Sequence, residues 1–556
     1  MRTFLHYWFF AIIIGFLSLF FSGARAQGLP AVEARGNGNL VSVQWLEKNL
    51  NLGNIVLLDA SAPSMYAAKH IAGAISVDIF SIAARNASAE EFEKRLQAWG
   101  ANAGNKIVIY DQGATFLATT LFYELHYHGV PAENLTVLDG GLAKWQAVGG
   151  KVTKDPTPAP APGSFRIGKP NEDVRSKLPA FLVASGDPTK HALVESLDSS
   201  YYVGETKFFD RAGHIPNAIS MPNEDFFNAD KTFKSPVEIA RMFSYYGIRP
   251  DQQIHSYCGG GQAATVTFFA AKYVLNYPNV SVYKGSQHEW LRDERGLPFW
   301  TYAAPNILRD KQWLSGWTSP MLRAFGFSNI SIVDVRPAEA FDQGHLPAST
   351  NLAVDGLKSM LAKPDSFADT FSAARINALD EAVVVSEGGV TPRAALAYLM
   401  LESAGQKKVS ILVDSVDEWA LSGLPLNRPD TAQAAALTEA TSTAKPPKPY
   451  QASARLGLVL SEPPRTPGLY ERVYLASGKS VASKIRDGRV IHVHYASLLN
   501  ADNTPKSAKD IWSILTKAGV PRYAEIICVA DDTGDAAVNY VLLKMMGYPD
   551  VKVLVS

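Results

Sequence analysis

The stretch Ile254-His255-Ser256-Tyr257-Cys258-Gly259-Gly260-Gly261-Gln262-Ala263-Ala264 carries three local signals in succession. A strand-like run ends on a cysteine, three glycines follow, and a helix-like segment then begins. Glycine leaves the backbone free to curl, so the thiol stands where a loop can wrap around it. Cys258 therefore reads as a nucleophile. The alternative, a packing cysteine at a strand end, is common for free thiols but fits three consecutive glycines poorly. The second cysteine, Cys528, lies in the apolar run Ile526-Ile527-Cys528-Val529. It reads as a buried, inert thiol, and its distance from Cys258 in sequence speaks against a disulfide.

Working outward, the pattern repeats. About forty residues before Cys258 stands Gly213-His214-Ile215-Pro216-Asn217-Ala218, and related signals occur at Lys69-His70-Ile71-Ala72-Gly73-Ala74, at Gly344-His345-Leu346-Pro347-Ala348 and, degenerate, at Gly488-Arg489-Val490. Each precedes, at a similar distance, another β-branched run: Ile107 to Asp111, Ile254 to Cys258, Val383 to Ser386, and Ile526 to Asp531. Three units close with a further strand and a tryptophan, Val137 to Trp145, Val282-Tyr283-Lys284-Gly285-Ser286 to Trp290, and Leu412 to Trp419; the fourth stops at Val555-Ser556.

Short β-branched runs suit buried parallel strands, and helical periodicity appears between them at Glu90 to Trp99, Pro236 to Tyr246 and Ala394 to Ser403. The chain thus predicts an α/β fold of four repeated domains, each a mainly parallel sheet flanked by helices, the fourth degenerate. The expected boundaries are 27–154, 164–302, 303–427 and 450–556. A proline-rich, semi-rigid spacer, Asp155 to Gly163, separates the first two, and an Ala/Thr/Pro-rich linker spans 428–449.

A length of 556 residues agrees with several domains. The 53 basic and 53 acidic residues balance, with no block of one sign, which argues against nucleic acid or an anionic membrane surface as partner. Residues 1–26 combine Arg2, an apolar stretch from Trp8 to Phe21, and Ala24-Arg25-Ala26, the pattern of a secretory leader cleaved near Ala26. The expected product is a periplasmic or secreted protein with no membrane association in its mature form.

The recurring Gly-His-Ile-Pro element, the cysteine-headed loop and the Gly-x-x-x-x-Trp closure together make the chain resemble the rhodanese family of sulfurtransferases. Units one and two are similar to tandem thiosulfate and 3-mercaptopyruvate sulfurtransferases, in which a cysteine-free domain packs on the catalytic one; units three and four resemble a second, inactive pair. The resemblance implies a sulfurtransferase that moves sulfane sulfur from a small donor such as thiosulfate, or 3-mercaptopyruvate, through a Cys258 persulfide to cyanide or a thiol. The alternative is a non-turnover persulfide relay or a docking scaffold for an exported redox protein. No metal or organic cofactor is signalled. Gly259, Gly260, Gly261, Gln262 and Ala263 would form the substrate loop, with successive N–H groups and the following helix, from about Ala263 through Val274, favouring a thiolate.

The other units carry Asp111, Ser386 or Glu387, and Asp531 at the cysteine's place, and none of these can hold a persulfide. Cys-x5-Arg, which phosphoryl transfer on this fold requires, is broken by Ala264. The family's Asp and His of the first domain are matched by Asp59 and His70, whereas Gly260 replaces the loop serine that would join them. Leu197 and Tyr201 fall where the family has substrate-holding arginines, which makes Arg211 the nearest basic substitute. Unit three keeps Asp334-Val335-Arg336 but has no cysteine.

Overall fold

The structure is a computed structural model that describes residues 34–35, 38–83, 88–325, 328–428, 449–478, 485 and 488–555. The expected leader and nearly all of the 428–449 linker lie outside the described residues. No helix among the described residues is long and apolar enough to cross a membrane.

Four five- or six-stranded sheets form, one per repeat, and all share one order. In unit two the strands run Ala218–Ser220, His191–Glu195, Gln253–Tyr257, Val280–Tyr283, Arg175–Ser176, every pair parallel. Unit four has the same order, Arg489–His492, Arg472–Ser477, Glu525–Ala530, Val551–Leu554, Val459–Leu460. Its degeneracy is thus in sequence and not in topology. The central strands are covered on both faces, as parallel sheets require: all five residues of Ile330–Asp334 and all six of Glu525–Ala530 are buried.

The expected helices form at Ala89–Ala98, Pro236–Tyr245 and Pro392–Ser403. Two begin with reciprocal caps, Ser88 with Glu91 and Ser235 with Glu238, which satisfy otherwise orphaned N–H groups. The tryptophan closure repeats atom for atom. Trp145, Trp290 and Trp419 each donate Nε1–H to a carbonyl that follows the helix, those of Lys151, Pro298 and Pro425, at 3.0, 2.9 and 2.9 Å.

Units pair in space as one with two and three with four. The helix after each unit's loop is buried along nearly its whole length and packs against its counterpart: Leu117–Tyr127 on Ala264–Phe269, and Pro392–Ser403 on Thr533–Met545. In the first pair, Phe122 meets Phe269 edge-on at 5.0 Å, and Thr265 Oγ1 hydrogen-bonds Thr119 and Thr120 at 2.9 and 3.1 Å. The pairs then meet through units two and four, where Arg522 bridges to Asp225 at 2.7 Å. The proline-rich spacer is docked along unit one: Gly163 N–H donates to Gln97 O and Phe165 N–H to Ala101 O at 2.8 and 2.9 Å.

Candidate active site

Cys258 is the first residue beyond the strand Gln253–Tyr257 and is 3% exposed. Gly261 turns back with φ of +83°, which brings its N–H to within 3.0 Å of the Cys258 sulfur. A side chain could not stand at Gly261, because its Cβ would lie 2.7 Å from the Lys284 carbonyl oxygen. A Cβ added at Gly259 would stand 3.0 Å from the Phe208 ring, and one at Gly260 would stand 3.2 Å from Gln262 Oε1. From below, the loop is clamped by the closing segment. Cys258 N–H donates to Ser286 Oγ at 3.1 Å, and Gln287 and His288 donate their N–H groups to Cys258 O and Gly259 O at 3.0 and 3.1 Å. The helix expected through Val274 is α-helical from Ala264 to Phe269 and continues as a π-helix to Val274.

A cleft of about 850 Å³ opens beside this loop between units one and two. Gly260 and Gln262 line it, facing Glu124, Tyr127 and His128 of unit one. The basic residues that the loop itself lacks are here. Lys284 Nζ sits 2.8 Å from Glu124 Oε1 and donates to Gly261 O at 3.2 Å. Arg175 lies with its guanidinium 3.4 Å over the Tyr127 ring and 3.8 Å from Glu124, and its buried Nε has no hydrogen-bond partner. His128 is also 3.8 Å from Glu124; burial lowers its pKa. Sequence reasoning missed both cations. Lys284 was visible within the closing motif, marked there for its glycine and tryptophan, whereas Arg175 lies in no motif.

The remaining candidates have other placements. His70 is fully buried; its ring stacks on Tyr66 at 3.8 Å and its two nitrogens bond Tyr66 O and Asp155 O at 2.8 and 3.1 Å. His214 on Tyr202 and His345 on Phe341 repeat that stack at 3.5 and 3.9 Å, each Nδ1 on the stacked residue's carbonyl. The histidine of the repeat is thus a turn-locking residue in three units, and His70 is not brought to the cleft. Asp59, buried at the end of its strand, accepts from Ser61 N–H at 2.9 Å, with its other oxygen unpartnered. It too is not brought to Cys258. Its counterpart in unit two, Glu195, accepts from Tyr257 Oη and Gln287 Nε2 at 2.8 and 2.6 Å, and burial pushes its pKa up to about 8. Arg211 is exposed and tied to Leu297 O at 2.8 Å, away from the cleft lining. Ala263 is buried in the inter-unit core. Leu197 is buried, and Tyr201 stacks on Phe208 at 4.5 Å.

The sheet fixes the residues equivalent to Cys258, since each follows the last residue of the corresponding strand: Asp111, Ser386 and Asp531. The choice between Ser386 and Glu387 falls on Ser386, whose hydroxyl accepts from Gly388 N–H at 3.4 Å. Asp111 fills its own loop, accepting from Gly113 N–H, Thr115 Oγ1 and Ala118 N–H at 2.7, 2.6 and 3.0 Å. Arg336 of unit three folds back on Asp334 at 2.7 Å and on Gly344 O at 2.8 Å. Cys528 is wholly buried, and burial raises its thiol pKa.

Comparison with known proteins adds three relatives. The chain is 28% identical over 265 residues to "Putative thiosulfate sulfurtransferase" of Saccharopolyspora erythraea, covering 45% of this chain and 92% of the other. It is 29% identical over 267 residues to "Sulfur carrier protein TtuD" of Thermus thermophilus, covering 45% and 93%. To "Probable 3-mercaptopyruvate sulfurtransferase" of Pseudomonas aeruginosa it is 29% identical over 280 residues, covering 47% and 97%. The rhodanese-like domain model matches residues 42–148, 192–293 and 321–422, more than half of the chain. With that match, and with the same strand order in every repeat, the chain belongs to the rhodanese family.

Proposed function

We propose that the protein is an exported sulfurtransferase with Cys258 as its sulfur acceptor. The observation that carries this reading is the Gly261 N–H held 3.0 Å from the Cys258 sulfur, in a loop whose Gly260 and Gln262 line a cation-bearing cleft. A donor's outer sulfur reaches the thiolate from the cleft. With thiosulfate, the Cys258 thiolate displaces sulfite: the donor S–S bond breaks, sulfite leaves with the electron pair, and Cys258–S–S⁻ forms. Cyanide or a thiolate then attacks the terminal sulfur and restores the Cys258 thiolate. The terminal sulfur is anionic, and a backbone N–H aimed at the loop stabilises charge there. Sulfurtransferase names among the relatives support the same chemistry, and the leader-like residues 1–26 support export.

A second reading, a carrier that passes persulfide to a protein, rests on one feature. Phe208 is 55% exposed, stacks on Tyr201 and lies against Gly259, so an aromatic surface flanks the loop where an exported redox protein would dock. One experiment separates the readings. The mature protein is incubated with thiosulfate or 3-mercaptopyruvate and then cyanide, with thiocyanate and intact mass followed beside Cys258→Ser. Turnover with small acceptors supports the enzyme, a stable sulfur adduct without turnover supports the carrier, and neither sinks both.

A further inference from the structure

We infer that Lys284 and Arg175 form the subsite for the anionic end of the sulfur donor, positioned by Glu124 of the cysteine-free unit. This deepens the sulfurtransferase reading and rests on it for the identity of the ligand. The donor class is a small molecule carrying its transferable sulfur next to an oxyanion group, either the sulfonate end of thiosulfate or the carboxylate of a mercapto acid.

Charge and connectivity carry the inference. Glu124 is 7% exposed at its side chain, yet Lys284, Arg175 and His128 all face it at 2.8, 3.8 and 3.8 Å. The cleft lining sets Arg175, Lys177 and Lys284 against Glu124 and Glu289, so one positive charge is in excess on the cleft wall. Arg175 is held with its guanidinium face on Tyr127 and lies in the cleft lining beside Glu124. Lys284 is bonded to the carbonyl of Gly261, the residue whose N–H holds the Cys258 sulfur. Cation and nucleophile are thus joined through a single loop residue.

Unit one gives the contrast. Register pairs Ser256 with Val282 and Ile109 with Val137, so Lys284 and Asp139 hold the same place beside Cys258 and Asp111. The unit without a thiol has an acid there, and the unit with one has a base.

With thiosulfate the anion held by the subsite leaves as sulfite, as written above. With a 3-mercapto-2-oxo acid the donor C–S bond breaks, the thiol proton ends on the carbon, and the oxo acid leaves while the S–S bond to Cys258 forms. Both leaving groups keep the anionic end that Lys284 and Arg175 would hold.

The test uses the mature chain. Steady-state rates with thiosulfate and, separately, 3-mercaptopyruvate are measured for wild type, Lys284→Gln, Lys284→Arg and Arg175→Gln, with thermal melts confirming folding. Loss of one charge-assisted contact predicts KM raised about tenfold with kcat changed less than about threefold, and recovery in Lys284→Arg. A rise for thiosulfate alone assigns the subsite to the sulfonate, and a rise for the mercapto acid alone to the carboxylate. Calorimetric titration of sulfite into Cys258→Ser, with and without Lys284→Gln, reads the subsite without turnover. Weaker sulfite binding in the double variant supports the inference even if no donor is turned over, an outcome that would overturn only the catalytic reading. Unchanged KM for both donors together with unchanged sulfite binding overturns the inference itself.

Discussion

Units one and two build the same loop after the same strand and put different atoms into it. In unit one the Asp111 carboxyl group takes up two backbone N–H groups and a hydroxyl, so the loop's donors are used internally. In unit two the Cys258 sulfur takes one N–H, from Gly261, and a cleft remains beside it. The difference teaches that the fold supplies an anion-binding loop in general, and that a side chain decides whether it is a structural cap or a reactive site. The neighbouring position follows the same logic, Asp139 in one unit and Lys284 in the other.

The sharpest way to break this comparison is to make unit two resemble unit one. Cys258→Asp should fold, its carboxylate drawing on loop N–H groups as Asp111 does, and sulfur transfer should fall to the uncatalysed background in a thiocyanate assay. Removing the cap from unit one should cost stability instead. Asp111→Ala leaves buried donors unpaired and should lower unfolding free energy by about 2–4 kcal/mol in urea melts, with Cys258 chemistry retained. Within the Cys258 loop two glycines should behave differently. Gly261→Ala, strained by a φ of +83° and by the Lys284 carbonyl, should lose about 1–3 kcal/mol and most activity, whereas Gly260→Ala, which meets only the end of a flexible side chain, should be near neutral.

A last test concerns pH. Glu195 ionises near 4.5 when unfolded and, pushed up by burial, near 8 when folded. The unfolded chain therefore gives up its proton first. The stability contributed by protonated Glu195 is complete below pH 4.5 and is lost as pH rises towards 8. Relative to wild type, Glu195→Gln should gain stability across that window by up to about 1.4 kcal/mol per pH unit, as paired melts at pH 5 and pH 8 would show. A constant difference would contradict the buried-acid assignment.

The repeats and the fold were legible because parallel strands and their loops recur at fixed spacing, and the place of Cys258 at a strand end was legible because glycines follow it. The cations of the cleft were not, since Arg175, Lys284 and Glu124 come from three elements whose meeting depends on how unit one packs on unit two. The histidine of the repeat was ambiguous for a different reason. A stacked, hydrogen-bonded turn residue and a catalytic base share one letter in sequence, and only the Tyr66, Tyr202 and Phe341 stacks distinguish them. The fourth unit, whose Gly-His-Ile-Pro signal is degenerate at Gly488-Arg489-Val490, keeps the common strand order all the same.

The account turns on which sulfur atom receives the donor's sulfur. Intact and peptide mass spectra of the mature protein after thiosulfate treatment should show one added sulfur atom on Cys258, removed by cyanide, with Cys528 unmodified. A protein that stays unmodified at Cys258, or gains its sulfur on Cys528, would contradict the account.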